Sequence, residues 1–240
     1  MKYAVVTGGT KGIGKQICIG LLIKGYFVIT NYCNDDKSAE ITRSDFLNYS
    51  QEFEVVRIDQ SKDNDIQLFS DIIRKKTPEI HCIVCNTGIT LKKSFDTIEF
   101  DEWEKVFKVN VHSHFYLIQS LNSLIQNKAK IIFIGSMLGK IPHSTSLVYG
   151  VTKAAVHALS RNLVKVFSER EVTVNTIAPG FVETEWQKDK PADIRNSIYN
   201  KTAIRRFATV EEISKVCMMI IENDFINGEI ISVDGGYNFK

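Results

Sequence analysis

The stretch "YAVVTGGTKGIGKQICIGLLIKG" (3–25) decides the fold. Residues 3–7 are a short apolar run that predicts a strand. A glycine-rich turn, "TGGTKGIG" (7–14), follows it. Residues 12–25 then predict a helix, with Gly25 as its stop signal. Strand, glycine turn and helix in that order make a place where backbone can approach a pyrophosphate. The helix N-terminus adds favourable positive potential. The usual dinucleotide fingerprint is G-x-G-x-x-G. Here Gly8, Gly12 and Gly14 space as G-x-x-x-G-x-G instead.

Outward from this unit the pattern repeats. Further strands are expected at "FVITNY" (27–32), "FEVVRID" (53–59), "IHCIVCN" (80–86), "KIIFIGS" (130–136), "EVTVNTIAP" (171–179) and "GEIISVDGG" (228–236). Helical segments separate them at 37–49, 61–76 and 101–126, from about 147 to 169, and at 210–222. Asp63 and Asp65 fall in a first helical turn, where the dipole favours acids. Strands that are nearly all apolar and separated by helices predict a parallel sheet covered on both faces. No linker, repeat or low-complexity run interrupts the chain. The expectation is an α/β protein: one doubly wound domain over residues 1–240, with a seven-stranded parallel sheet and helices on both faces.

Composition narrows the class. The 240 residues are 44% hydrophobic and 24% charged, with a net charge of +2, as in an ordinary globular protein. Such a charge gives no strong pull toward nucleic acid or membrane. No run approaches the roughly 18 apolar residues of a membrane span. The start, "MKYAVVTGG", is too short for a signal-peptide core, so a cytoplasmic protein is expected. Five cysteines fit a reducing compartment. Cys82 and Cys85 form a C-x-x-C, but inside a strand such residues point to opposite faces and cannot close a disulfide. His112 and His114 lie two apart on a helix and do not face each other, so no metal site is expected.

Several further motifs sit at predicted strand ends. "CNTG" (85–88) follows strand four, and Asn110 lies in "KVNVHS". Ser136 ends strand five, Tyr149 follows thirteen residues later, and Lys153 lies four beyond it. "APGFVET" (178–184) follows strand six. Together with T-G-x-x-x-G-x-G these resemble the short-chain dehydrogenase/reductase family along the whole chain. That family's N-N-A-G turn reads C-N-T-G here, with Cys85 and Thr87 as departures. The resemblance implies a Rossmann-type fold and hydride transfer between a nicotinamide and a ketone or alcohol. It implies Asn110, Ser136, Tyr149 and Lys153 as catalytic residues, with Ser136 and Tyr149 also touching substrate.

A tyrosine hydroxyl, with a free pKa of about 10, is a reluctant acid near neutrality. An ammonium one helical turn away stabilises the phenolate, whereas a carboxylate would neutralise that ammonium. Tyr149 and Lys153 therefore suit a general acid and its support, and Ser136 can hold the substrate oxygen. Asn110 is implied to complete a water relay to Lys153. For the cofactor, Gly8, Thr10, Lys11, Gly12, Ile13 and Gly14 are expected around the pyrophosphate. Asn86, Gly88, Tyr149 and Lys153 are expected around the nicotinamide and its ribose. Asp59 and Gln60 are assigned to the adenine, and Val182 and Thr184 to the carboxamide end and pyrophosphate. A neutral Asn31 at the end of strand two, with basic Lys11 in the loop, favours NADPH/NADP+ over NADH.

Within the family, "NTGIT", "APGFVETE" and "NGEIISVDGGYN" most resemble 3-oxoacyl-[acyl-carrier-protein] reductases. That implies a homotetramer packed through the helices around 101–126 and 147–169. It also implies an acidic acyl carrier protein as partner, docked on Lys128, Lys130 and Arg170 beside the substrate mouth. Reduction of another small ketone or acyl chain, and a nucleotide-binding regulator without turnover, are the alternative expectations.

Overall fold

The computed structural model describes residues 1–142 and 146–239. Seven parallel strands form one sheet: β1 (Lys2–Val6), β2 (Tyr26–Tyr32), β3 (Phe53–Arg57), β4 (Ile80–Cys85), β5 (Ile125–Ile134), β6 (Thr173–Pro179) and β7 (Ile230–Val233). Their spatial order is β3-β2-β1-β4-β5-β6-β7. The chain therefore reverses direction across the sheet between β1 and β4, and a crevice opens beyond the carboxyl ends of those two strands.

The strands alternate at period two between two cores. Ala4, Val6, Val28, Cys82, Val84, Ile132 and Ile134 face one side, where they meet α1 (Gly12–Ile23), α2 (Asp36–Leu47) and α9 (Val210–Glu222). Val5, Ile29, Ile83, Cys85, Ile131 and Phe133 face the other, against α3 (Asp63–Lys76), α5 (Ser113–Ser120) and α6 (Leu147–Val166). Cys82 and Cys85 thus lie on opposite faces, both buried and both free, as the strand spacing requires. Helix ends are set locally. Thr209 and Glu212 form a capping box at α9, and Asp35 caps α2 by accepting from the Ser38 N–H at 2.9 Å.

Three boundaries differ from the sequence reading. The region 101–126 splits into α4 (Phe100–Phe107), a π turn (Lys108–His112) and α5. β5 begins at Ile125, five residues earlier than expected, because Ile125 pairs with Ile80 ahead of a bulge whose polar residues hide the strand. Lys128 takes a positive φ of 64° within it. The polar stretch 183–203 holds two short helices, α7 (Glu185–Lys188) and α8 (Ala192–Lys201).

The same geometry corrects the docking patch. Lys130 pairs in register with Cys82 and Thr173 near the amino ends of β4 and β6. Ser136 follows the carboxyl end of β5, roughly 20 Å away at strand rise. Lys130 is 5% exposed and donates to Asp224 at 2.8 Å and to the Asn223 carbonyl. Arg170 donates to Asn122 and to the Ile125 carbonyl, and Lys128 pairs with Glu171. Within one chain these three residues do not flank the substrate mouth.

Candidate active site

A cleft of about 690 Å³ lies over the carboxyl ends of the strands, lined by the glycine loop, the turns after β2 to β4, Ser136, Tyr149, Lys153 and the loop after β6. Its floor is the turn after β1. Gly8 and Gly9 donate their N–H groups to Asn31 Oδ1 and Thr30 Oγ1 at 3.2 and 3.0 Å. The buried Asn31 also donates to the Ile58 carbonyl at 3.2 Å, so its amide braces two turns. Thr10 is anchored through its carbonyl, which accepts from Thr42 Oγ1 at 2.9 Å, and Ile13 packs against the core. Gly14 is required by close approach: a Cβ there would fall 2.3 Å from the Gly8 carbonyl oxygen and 2.5 Å from Asn86 Nδ2.

Thr7 ties this loop to the turn after β4. Its Oγ1 accepts from the N–H groups of Asn86 and Thr87 at 2.9 and 3.0 Å. Asn86 Nδ2 returns bonds to the Thr7 and Gly8 carbonyls. Behind it, the buried His114 lies with Nε2 3.0 Å from the Thr87 carbonyl. That oxygen can only accept, so Nε2 carries the proton, and burial pushes the imidazole pKa down to about 3. The roles of Thr7, Thr30 and His114 in bracing these turns are revealed only by the tertiary fold.

The four expected catalytic residues converge. Ser136 Oγ accepts from the Leu138 N–H at 3.1 Å, and its side chain acts to lower the Tyr149 pKa. Lys153 is 2% exposed, donates to the Ile134 carbonyl at 2.6 Å, and holds its Nζ 5.5 Å from the centre of the Tyr149 ring. Burial draws its pKa down to about 8. Burial drives the Tyr149 pKa up to about 12, opposed by the Ser136 side chain. This corrects one expectation: in the free protein the ammonium does not by itself make the phenol acidic. A further positive charge beside the phenol lowers its pKa.

Asn110 braces the turn beyond Gly88. It is buried in the π turn, a feature found mostly at functional sites. Its Oδ1 accepts from the Ile89 N–H at 2.8 Å, and its Nδ2 donates to the Ile89 carbonyl and to Thr152 Oγ1 at 2.9 and 3.0 Å. Both Nδ2 protons and one Oδ1 lone pair are thus spent on the turn after Gly88 and on Thr152. Gly88 lies beside Asn110 and Lys153, since a Cβ there would sit in ordinary contact, 3.5 Å from Asn110 Oδ1 and from Lys153 Nζ.

The remaining expected contacts line the same cleft. Asp59 accepts from Ser61 N and Oγ; burial opposes its ionisation, but those bonds hold its carboxyl below the usual value. Gln60 is 4% exposed and its buried Oε1 has no partner among the described residues, which suits an amine such as that of adenine. Val182 is buried, and Thr184 Cγ2 would lie 3.3 Å from a Cβ on Gly12, whose φ is +50°. The glycine cradle and the orphan acceptor fit an extended dinucleotide.

Residues 8–238 match the family model described as enoyl-(acyl carrier protein) reductase. The chain belongs to the short-chain dehydrogenase/reductase family. It is 27% identical to L-rhamnose 1-dehydrogenase (NADP(+)) of Thermoplasma acidophilum over 98% of this chain and 95% of that one. It is 29% identical to 3-oxoacyl-[acyl-carrier-protein] reductase of Aquifex aeolicus, covering 98% and 96%. A solved short-chain dehydrogenase/reductase from Serratia marcescens superposes with a TM-score of 0.93 at 26% identity, covering 98% and 97%. The protein is therefore an oxidoreductase acting on an alcohol or ketone. Among the described residues no helix is long and apolar enough to cross a membrane.

Proposed function

We propose that this short-chain reductase uses NADPH to reduce the 3-oxo group of an acyl thioester to the 3-hydroxy form. The observation that carries it is the convergence of Ser136, Tyr149 and Lys153 at the end of a cleft that begins at the glycine loop. A nicotinamide dinucleotide bound there supplies the hydride. Ser136 Oγ holds the carbonyl oxygen, and Tyr149 delivers the proton to that oxygen as charge develops on it. Lys153 opposes the phenolate left behind and draws its own orientation from the Ile134 carbonyl. Asn110 fixes the turn that borders the nicotinamide end.

The relatives support the cofactor and divide on the substrate. One is named for NADP(+) and a sugar, the other for a carrier-linked 3-oxoacyl group. Lys11 lines the cleft and offers a cation to a 2′-phosphate. An acyl carrier protein is then the macromolecular partner. A homotetramer through α4, α5 and α6 would cover the exposed Phe100, Phe115 and Tyr116. The deciding experiment measures initial rates with NADPH and NADH on acetoacetyl-coenzyme A, a carrier-linked 3-oxoacyl substrate and free ethyl acetoacetate, and NADP+ reduction with L-rhamnose. Higher kcat/KM with NADPH and with the thioesters is expected. Turnover of rhamnose alone, or preference for NADH, overturns the reading.

A further inference from the structure

Three cations lie on or next to the segments that line the adenosine end of the cleft, and each already has a carboxylate. Lys11 pairs with Asp35, Arg57 with Asp36 at 3.6 Å, and Lys62 with Asp59 at 3.9 Å. Asn31 spends one Nδ2 proton and one Oδ1 lone pair on bracing its neighbours, and it carries no charge to offer a 2′-phosphate. Selection for or against a 2′-phosphate therefore falls to the ion pairs.

The Lys11–Asp35 pair differs from the other two. Both of its residues line the cleft, one from the glycine loop and one from the turn after β2. Asp35 is also fixed in place: it caps α2, accepting from Ser38 N and Ser38 Oγ at 2.9 and 3.0 Å. The Lys11 contact and these Ser38 bonds hold its carboxyl at a pKa of about 2, so it is ionised at all physiological pH. The Lys11 side chain, 46% exposed, is the mobile partner. A phosphate reaching Lys11 must either draw it off a fixed carboxylate or sit beside that carboxylate.

We propose that Asp35 is a specificity-determining residue: it holds Lys11 as an internal counter-ion and so restrains the enzyme's preference for a dinucleotide bearing a 2′-phosphate. This rests on the cofactor reading above. It implies that the natural preference is set below what Lys11 can give, and that one neutral substitution raises it.

The test uses adenosine 2′,5′-bisphosphate and adenosine 5′-monophosphate, which differ only in the 2′-phosphate, with Kd measured by calorimetry. Asp35→Asn keeps an N-cap residue, so α2 is retained, and a thermal melt checks this. The variant is expected to bind the bisphosphate roughly 5- to 30-fold more tightly relative to the monophosphate than the wild type does, as a charge-assisted contact is released. In a Lys11→Ala background the same substitution should give a clearly smaller gain, expressing only direct repulsion. An unchanged ratio in Asp35→Asn, or an equal gain with and without Lys11, overturns the proposal while leaving dinucleotide binding intact. A wild type that binds neither probe overturns the cofactor reading, and this proposal with it.

Discussion

Replacing Lys153 by methionine isolates the cost of burying its ammonium. The side chain is 2% exposed, and burial lowers its pKa from 10.5 to about 8. Solvent screening therefore gives little relief. Between those two values the unfolded chain holds a proton that the folded chain has released. Stability rises with pH wherever the unfolded state binds more protons. The folded-state penalty is thus fully present below about pH 8 and disappears as pH rises toward 10.5. Between pH 7 and pH 9.5 the wild type should gain about 2 kcal/mol from this residue. Lys153→Met removes the linkage, so the difference in unfolding free energy between the two proteins should move by that amount in favour of the wild type. Other groups titrate equally in both and cancel, and Tyr149, with its pKa near 12, stays protonated in the folded state throughout. Urea unfolding of the nucleotide-free proteins, followed by fluorescence of Trp103 and Trp186, reads the difference directly. A difference that stays flat within about 0.5 kcal/mol across this range refutes the claim that Lys153 is held in a strongly desolvating site.

Other positions give separate tests. Gly14→Ala drives a Cβ into the Gly8 carbonyl and Asn86, so it should abolish detectable dinucleotide binding and lower stability by about 1–3 kcal/mol, read by calorimetry and by denaturation. Cys82 and Cys85 face different cores, and burial raises both thiols far above the ordinary thiol range, Cys82 to about 12. Mild oxidation should therefore form no bond between them, and a thiol-reversible loss of activity that is absent in Cys85→Ser would show the strand assignment to be wrong. Asn110→Leu leaves both backbone groups of Ile89 without a partner, so it should cost roughly 2–4 kcal/mol of stability together with turnover; loss of turnover at unchanged stability would return Asn110 to a direct role in proton transfer.

The sheet was legible because its strands are apolar on both faces, and the site because its motifs fall at strand ends. Gly8, Gly12, Gly14, Ser136, Tyr149 and Lys153 were placed from spacing and resemblance, and all line one cleft. What escaped depends on contacts between distant segments. Nothing in "VHSHF" tells that His114 reaches the Thr87 carbonyl, or that Thr7 would join β1 to the turn after β4. The early start of β5 was hidden by the polar residues of a bulge, since hydrophobic pattern reports faces and not pairing. Asn31 read as the neutral position that selects the cofactor, and only the fold shows that its side chain also braces the turns at Gly8 and Ile58. The docking patch went astray because nearness in sequence to β5 says nothing about which end of the strand a residue occupies.

The central claim is that Tyr149 delivers the proton. Tyr149→Phe removes one hydroxyl and leaves the ring against Trp186, with the two ring centres 6.2 Å apart. The direct measurement is the initial rate of NADPH-dependent 3-oxoacyl thioester reduction by this variant, with nucleotide Kd determined on the same preparation. The account predicts a Kd close to that of the wild type and a rate lower by roughly 10²–10⁴-fold. Near wild-type reduction by the phenylalanine variant would contradict it.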